Sequence, residues 1–402
     1  MSNQFTTYLS NVKKGYKVKN HVTYYVLLAF IAVYGIMGAC GALKLSQLVL
    51  LQEIGYTVIA AVSLSLVVGF LGELSLGHAA FMSLGAYIGG YMQTYVFGGL
   101  TAFSPLLSII VAMIIGGVVA AAFGFIIGLP ALRLKGDYLA IVTLAFCEIV
   151  KTVFQNSNEN TFGGALGMST YKYPQKTMFL VSFVMVVVTV ALIQNLIRSK
   201  HGRAIMAIRD NEIAARAMGV NVTYYKLMVF VLSAFFAGIA GVLFSNSVNR
   251  IDSKVFDYNY SINILVMVVL GGMGNINGTI IASVLIVFIN NKLGVMLTGK
   301  LAALKNLIYA LILILIVIYN NAPKLKSFRE KHNFRVYWNK FTAWVVKLFT
   351  KKQPEADPSK ETESNADWSK IPTKVEMDAI LSTDLTPDDS YVPDKPDKPQ
   401  GE

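Results

Sequence analysis

One stretch of this chain concentrates groups that could do chemistry. Gly69-Phe70-Leu71-Gly72-Glu73-Leu74-Ser75-Leu76-Gly77-His78 sets a carboxylate, a hydroxyl and an imidazole between two apolar runs. Glycines at 69, 72 and 77 each disfavour a continuous helix by about 1 kcal/mol relative to alanine. Two readings fit. Glu73, Ser75, Gly77 and His78 could belong to a broken element lining a solute path, because unwound backbone at membrane depth survives only where protein or water satisfies it. Alternatively, the stretch is a short cytoplasmic turn with Glu73 solvated. Glu148 and Lys151, three residues apart, share a helical face and read as a mutual pair near the outer interface, with a role along a solute path as the alternative.

Other arrangements that would carry catalysis do not assemble. His21, His78, His201 and His332 are scattered without metal-ligand spacing, so no metal is expected. Cys40 and Cys147 both lie in apolar runs and suggest neither a disulfide nor a metal site. Gly271-Gly272-Met273-Gly274-Asn275-Ile276-Asn277-Gly278 lacks the dinucleotide-loop spacing. Gly294-Val295-Met296-Leu297-Thr298-Gly299-Lys300-Leu301 places leucine where a P-loop needs Ser or Thr. No nucleophile–base set is found, and the chain is expected to bind no cofactor of its own.

Composition names the elements that must position these residues. The 402 residues are 54% hydrophobic and 14% charged, against about a quarter charged in soluble domains. Apolar runs of about 20 residues, long enough to cross a bilayer as helices, recur from Val22 to Asn320. The fold class is an all-α polytopic membrane protein of about ten transmembrane helices, some broken. The expected crossings are 22–42, 47–70, 76–97, 106–129, 138–155, 178–197, 226–247, 259–273, 277–297 and 302–320. The eighth is short and ends in Gly271, Gly272 and Gly274, as a broken or re-entrant helix would. Met37-Gly38-Ala39-Cys40 faintly resembles a lipoprotein cleavage box, but further membrane follows it, so the first helix is read as retained.

Charge orients the chain. Residues 1–21 carry Lys13, Lys14, Lys17 and Lys19 with no acid, which places them in the cytoplasm. The even-numbered connections then lie inside. They hold Arg133 and Lys135, then Arg198, Lys200, Arg203, Arg209 and Arg216, and finally Lys324, Lys326, Arg329 and Lys331. A single crossing over 259–297 would put that last cluster outside, so two crossings and cytoplasmic termini are expected in the inner (plasma) membrane. The net charge of +12 sits in these connectors rather than on one basic face, which argues against nucleic acid and for membrane lipid.

The domain plan is a basic N-terminus (1–21), a membrane-spanning region (22–322), a basic amphipathic interfacial segment (323–352) and an acidic, Pro-containing disordered tail (353–402). In the third, Phe334, Trp338, Phe341, Trp344, Val345 and Leu348 form an apolar stripe suited to the interface. The tail holds 13 of the 23 acids and too little apolar surface to fold alone.

Gly202–Gly219 reads as one short alanine-rich cytoplasmic helix, with Gly219 as a left-handed C-cap. Ile205, Ile208, Glu212 and Ala215 share a face that could dock in a partner's groove or lie on the membrane surface. Gly85 with Gly89, and Gly124 with Gly128, are small-residue pairs read as helix packing within the subunit, with a dimer contact as the alternative.

Three stretches together resemble the permease subunits of branched-chain amino acid ABC importers, the LivM kind, over residues 22–322. They are Gly72–His78, Arg133–Leu144 with Thr161–Gly167, and Gly202–Gly219 combined with Leu270–Gly274. The resemblance implies an importer of two permease subunits and two cytoplasmic ATPases, which hold ATP and Mg, fed by an extracytoplasmic substrate-binding protein. It makes 203–217 the ATPase-coupling segment, with Arg203, Ile205, Ile208, Arg209, Glu212, Ala215 and Gly219 involved. The path would then run past Glu73, Ser75, Gly77, His78, Gly271, Gly272 and Gly274. The expected solutes are leucine, isoleucine and valine, or urea, amides or nucleosides. A secondary transporter driven by an ion gradient would also use broken helices, and a membrane enzyme is the third reading. Residues 324–402 lie outside the family pattern.

Overall fold

A computed structural model describes residues 44–97 and 104–296 except 135, 160 and 172, together with 310, 311 and 314. The basic N-terminus, the crossing at 22–42, nearly all of 302–320, the interfacial segment, the acidic tail, Cys40, His21, His332 and 297–301 of the P-loop-like stretch lie outside the described residues.

Each of the eight crossings expected between 47 and 297 is a helix. These are α1 (Leu45–Ser65, continued by a π-helical turn Leu66–Leu71), α2 (His78–Tyr91, continued as Met92–Val96), α3 (Pro105–Ala131) and α4 (Asp137–Gln155). Then come α5 (Gln175–Arg198), the short α6 (Lys200–Asp210) and α7 (Glu212–Ala217), α8 (Val222–Ser247), α9 (Tyr258–Gly271) and α10 (Ile276–Met296). Six are long and apolar enough to cross a membrane: Leu45–Leu71, Pro105–Ala131, Tyr138–Gln155, Gln175–Arg198, Val222–Ser247 and Ile276–Met296. α2 and α9 have 14 residues each, about 21 Å of α-helix, and α9 ends at the expected glycines.

α8 is the central post, packed on α3, α2 and α1, while α5 and α10 flank α1. The small-residue pairs explain the closeness. A Cβ on Gly85 would overlap the backbone oxygen of Gly238, and one on Gly124 would stand 2.7 Å from Cβ of Ala234. Both pairs pack within the subunit, as expected, since backbones approach this closely only where side chains are small. Gly85→Leu is therefore expected to cost about 1–3 kcal/mol through overpacking, read as a lower melting temperature of the detergent-solubilised protein. An unchanged melting temperature would mean the α2–α8 contact has slack.

The outer faces are apolar. Ile110, Ile114 and Val118 on α3, Ile149 and Val153 on α4, and Leu180, Val184 and Leu192 on α5 are all exposed. Water would penalise such contiguous stripes, whereas lipid would not. At one end of the bundle, Met168–Ser169 (β1) pairs antiparallel with Arg250–Ile251 (β2). At the other, the C-terminus of α3 meets the first turns of α8, where Gly128 faces Leu227 and Phe230. That second end gathers Arg133, Arg198, Lys200, Arg203, Arg209, Arg216 and Lys226.

Candidate functional site

Arg209 sits where three chain segments meet. Its Nη1 donates to the carbonyl oxygen of Gly69 at 3.3 Å, and its Nη2 pairs with Asp210 at 2.9 Å. Gly72 has φ +81°, which glycine adopts without cost, and a Cβ there would stand 2.7 Å from Cγ of Arg209. Gly274, in the turn joining α9 to α10, comes within reach of the same guanidinium, 3.4 Å from a Cβ to Nη1. Gly69 and Gly274 also touch directly, since a Cβ on Gly69 would lie 2.7 Å from the backbone nitrogen of Gly274. The glycines at 69, 72 and 274 thus let the end of α1, the α9–α10 turn and α6 close around one cation.

A second ionic cluster lies beside the first. Lys226, in the first turns of α8 and 4% exposed, pairs with Glu73 and, at 3.1 Å, with Glu212, which holds Arg216 at 2.8 Å. Glu73 is therefore not a solvated turn residue. Burying an ammonium is tolerable only with such partners, and here they come from α7 and from the segment after α1.

Residues 72–77 are non-helical and run inward from the Glu73 end. Ser75 and His78 are each 2% exposed and Gly77 is buried. Glu73 N–H donates back to the Val67 carbonyl at 3.2 Å, and two N–H groups at the inner end of the break are met by side chains. Leu76 N–H donates to Thr143 Oγ1 at 3.0 Å, and Ala79 N–H to Ser261 Oγ at 2.9 Å. His78 Nε2 lies 2.9 Å from Ser63 Oγ, and Ser233 Oγ donates to the Ser63 carbonyl at 2.7 Å. The segment is thus a protein-enclosed break in the helix ladder, pinned by α1, α4, α8 and α9.

The loop 198–221 differs from the single helix expected. It breaks at Asn211 (φ −158°, ψ 104°), whose side chain accepts from Ala214 N–H at 3.0 Å and caps α7. Asparagine competes with helix continuation in this way. Ser199 caps α6 likewise. Gly219 has φ +82° and follows the end of α7, as expected of a C-cap. Ile205, Ile208 and Ala215, read as partner-facing, point into the bundle instead at 1%, 4% and 5% exposure. Glu212 is half-buried against Lys226, while Arg203 and Arg209 stay at the surface. What projects outward is Ile213, 80% exposed, and Met218, 84% exposed.

Gly271, Gly272 and Gly274 form the α9–α10 turn. Gly272 and Gly274 have positive φ, and Gly271 abuts the backbone of Thr279. Asn275 Oδ1 closes the turn by accepting from Gly278 N–H at 3.2 Å. Glu148 and Lys151 form the mutual pair expected, at 3.0 Å.

The stretch from 47 to 317 matches the family described as the branched-chain amino acid transport system permease component. The high-affinity branched-chain amino acid transport system permease protein LivM of Salmonella typhimurium is 34% identical over 307 residues, covering 68% of each chain. The chain belongs to this permease family. The ribose import permease protein RbsC of Escherichia coli is 27% identical over 295 residues, covering 68% of this chain and 84% of that one. Among solved structures, PsaBC from Streptococcus pneumoniae in complex with Fab aligns over 75% of this chain and all of that one, at 17% identity and a TM-score of 0.42.

In this permease, part of the stretches that carry the resemblance meets in space, while Thr161–Gly167 lies at the opposite end beside Arg250 and Ile251. Thr143 adjoins Leu76 and Gly77, and Arg209 bridges Gly72 and Gly274. Lys226 escaped the reading of the sequence, although a lone lysine in the first turns of a 26-residue apolar helix is a signal. Its acid partners, 14 and 153 residues away, gave no local hint.

Proposed function

We propose that this permease is the membrane-spanning subunit of an ATP-driven importer for branched-chain amino acids, with α6 and α7 as the piece that takes force from a cytoplasmic ATPase. The observation that carries the reading is the position of α6–α7. Its inner face is locked to Gly69–Glu73 and α8, while Ile213 and Met218 stand free on the outer face. Exposed apolar side chains on the short helix of Arg216 and at its C-cap suit a partner's groove. The basic end of the bundle lies in the cytoplasm by the positive-inside rule, which also places both termini there.

In the cycle so read, closure of two ATPases on ATP pushes the outer face of α6–α7. Arg209 and the Glu212–Lys226–Glu73 chain pass the displacement to the break at 72–77 and to the α9–α10 turn. These two non-helical segments are where helices can tilt without breaking ladder hydrogen bonds. A second permease subunit faces this one across the path, and an extracytoplasmic binding protein delivers the solute. ATP and Mg stay on the ATPases. The names of the LivM relatives favour leucine, isoleucine and valine over urea, amides, nucleosides or a sugar.

The test is uptake of leucine into vesicles holding the permease pair, the ATPases and the binding protein. ATP inside is expected to drive accumulation. Accumulation on an ion gradient alone would overturn the reading in favour of a secondary transporter. Within it, Ile213→Asp with Met218→Asp is expected to abolish co-purification of the ATPases while membrane insertion persists. Normal ATPase recovery from that variant would remove α7 from the interface.

A further inference from the structure

Between the α9–α10 turn and the opposite end of the bundle lies a cleft that the α6–α7 lever does not explain. It is about 630 Å³ and opens between α1, α9 and α10, within the range of about 300–1,000 Å³ in which small-molecule sites fall. Glu53 on α1, Asn263 on α9 and Asn290 on α10 line one part, and Met267, Ile286 and Val287 line another. Two other clefts, of about 690 and 460 Å³, are walled by apolar side chains, as a lipid-facing groove would be. Carboxylate and carboxamide groups open to hydrocarbon would be costly, and in membrane helices they mark solute pathways. Glu53 lies eighteen residues before Leu71, about 27 Å along the helix. The Glu53 end of the cleft therefore faces the extracytoplasmic side if α6–α7 is cytoplasmic, and Met267, four residues before Gly271, lies at its deep end.

Resting on the proposed importer function, we infer that this cleft is the receiving site for the incoming solute, a zwitterionic amino acid with an aliphatic side chain. The chemistry is complementary in three parts. The Glu53 carboxylate takes the α-ammonium in a charge-assisted hydrogen bond. The amide N–H groups of Asn263 and Asn290 donate to the α-carboxylate. The Met267, Ile286 and Val287 wall covers the branched side chain. Asn259, on the same face as Asn263 one turn earlier, holds Asp257 with its Nδ2 at 2.9 Å and so frames the rim.

The experiment uses the complete reconstituted complex with its binding protein, and leucine as the probe. ATP-dependent uptake by the wild type is the control; its absence would defeat the importer reading rather than the cleft. Given uptake, Glu53→Gln and Asn263→Leu are each expected to lower the rate about tenfold, the effect of losing one hydrogen bond to a charged group, with complex yield unchanged. Asn263→Cys, in a Cys40→Ser, Cys147→Ser background, is expected to react with a membrane-impermeant maleimide from outside, more slowly when leucine-loaded binding protein is present. Wild-type uptake by either variant, loss of assembly rather than of transport in both, or a cysteine unreactive from outside would each overturn the assignment.

Discussion

Lys226→Met is expected to destabilise the protein by about 3 kcal/mol, the low end of the cost of breaking a buried ion pair. The low end applies because the Glu73 and Glu212 side chains keep 15% and 26% exposure. Methionine matches the aliphatic stem of lysine, so packing changes little and the loss reports the charge. Glu212 retains Arg216 at 2.8 Å, which leaves Glu73 as the uncompensated group. Adding Glu73→Gln to Lys226→Met should therefore recover much of the loss, whereas Glu212→Gln should recover less. Thermal unfolding in detergent measures all three. A Lys226→Met protein that melts with the wild type would show that the cluster contributes nothing to stability.

Arg209→Ala is expected to separate ATPase docking from transport. The outer face that carries Ile213 and Met218 does not depend on the guanidinium, so the ATPases should still co-purify. What is lost is the bond to the Gly69 carbonyl and the packing over Gly72 and beside Gly274. Solute moved per ATP should fall roughly tenfold, a coupling loss within the usual 1–3 kcal/mol between distant sites. Arg209→Lys should restore little, because a single ammonium cannot span Asp210 and Gly69 as the planar fork does. Unchanged solute moved per ATP in Arg209→Ala would remove Arg209 from the relay and leave Glu212–Lys226–Glu73 as the only link.

Much of the candidate site was legible because its signals are local. Glycines at 69, 72 and 77 announced a break after the second run, and the structure has one there, with Leu76 and Ala79 satisfied by Thr143 and Ser261. The short eighth helix ending at Gly271 was equally readable. What misled was the apolar stripe on 203–217. Periodicity identifies a greasy face but not what covers it. Here the bundle covers Ile205, Ile208 and Ala215, and the exposed Ile213 and Met218 lie off the stripe.

The sequence by itself determined the membrane class, the positions of the eight described apolar helices, the small-residue packing pairs and the permease family. The first three follow from residue type and from spacing over a few turns, whereas the family rests on the resemblance of the motifs. Tertiary structure decided which charges meet: Lys226 with an acid 153 positions earlier, and Arg209 with a carbonyl 140 positions earlier. It also decided that a carboxylate and amides from three helices share one cleft. Pairings over such separations depend on how α8 and α9 seat against α1, a geometry set by the summed contacts of the whole bundle and written in no single stretch of the chain.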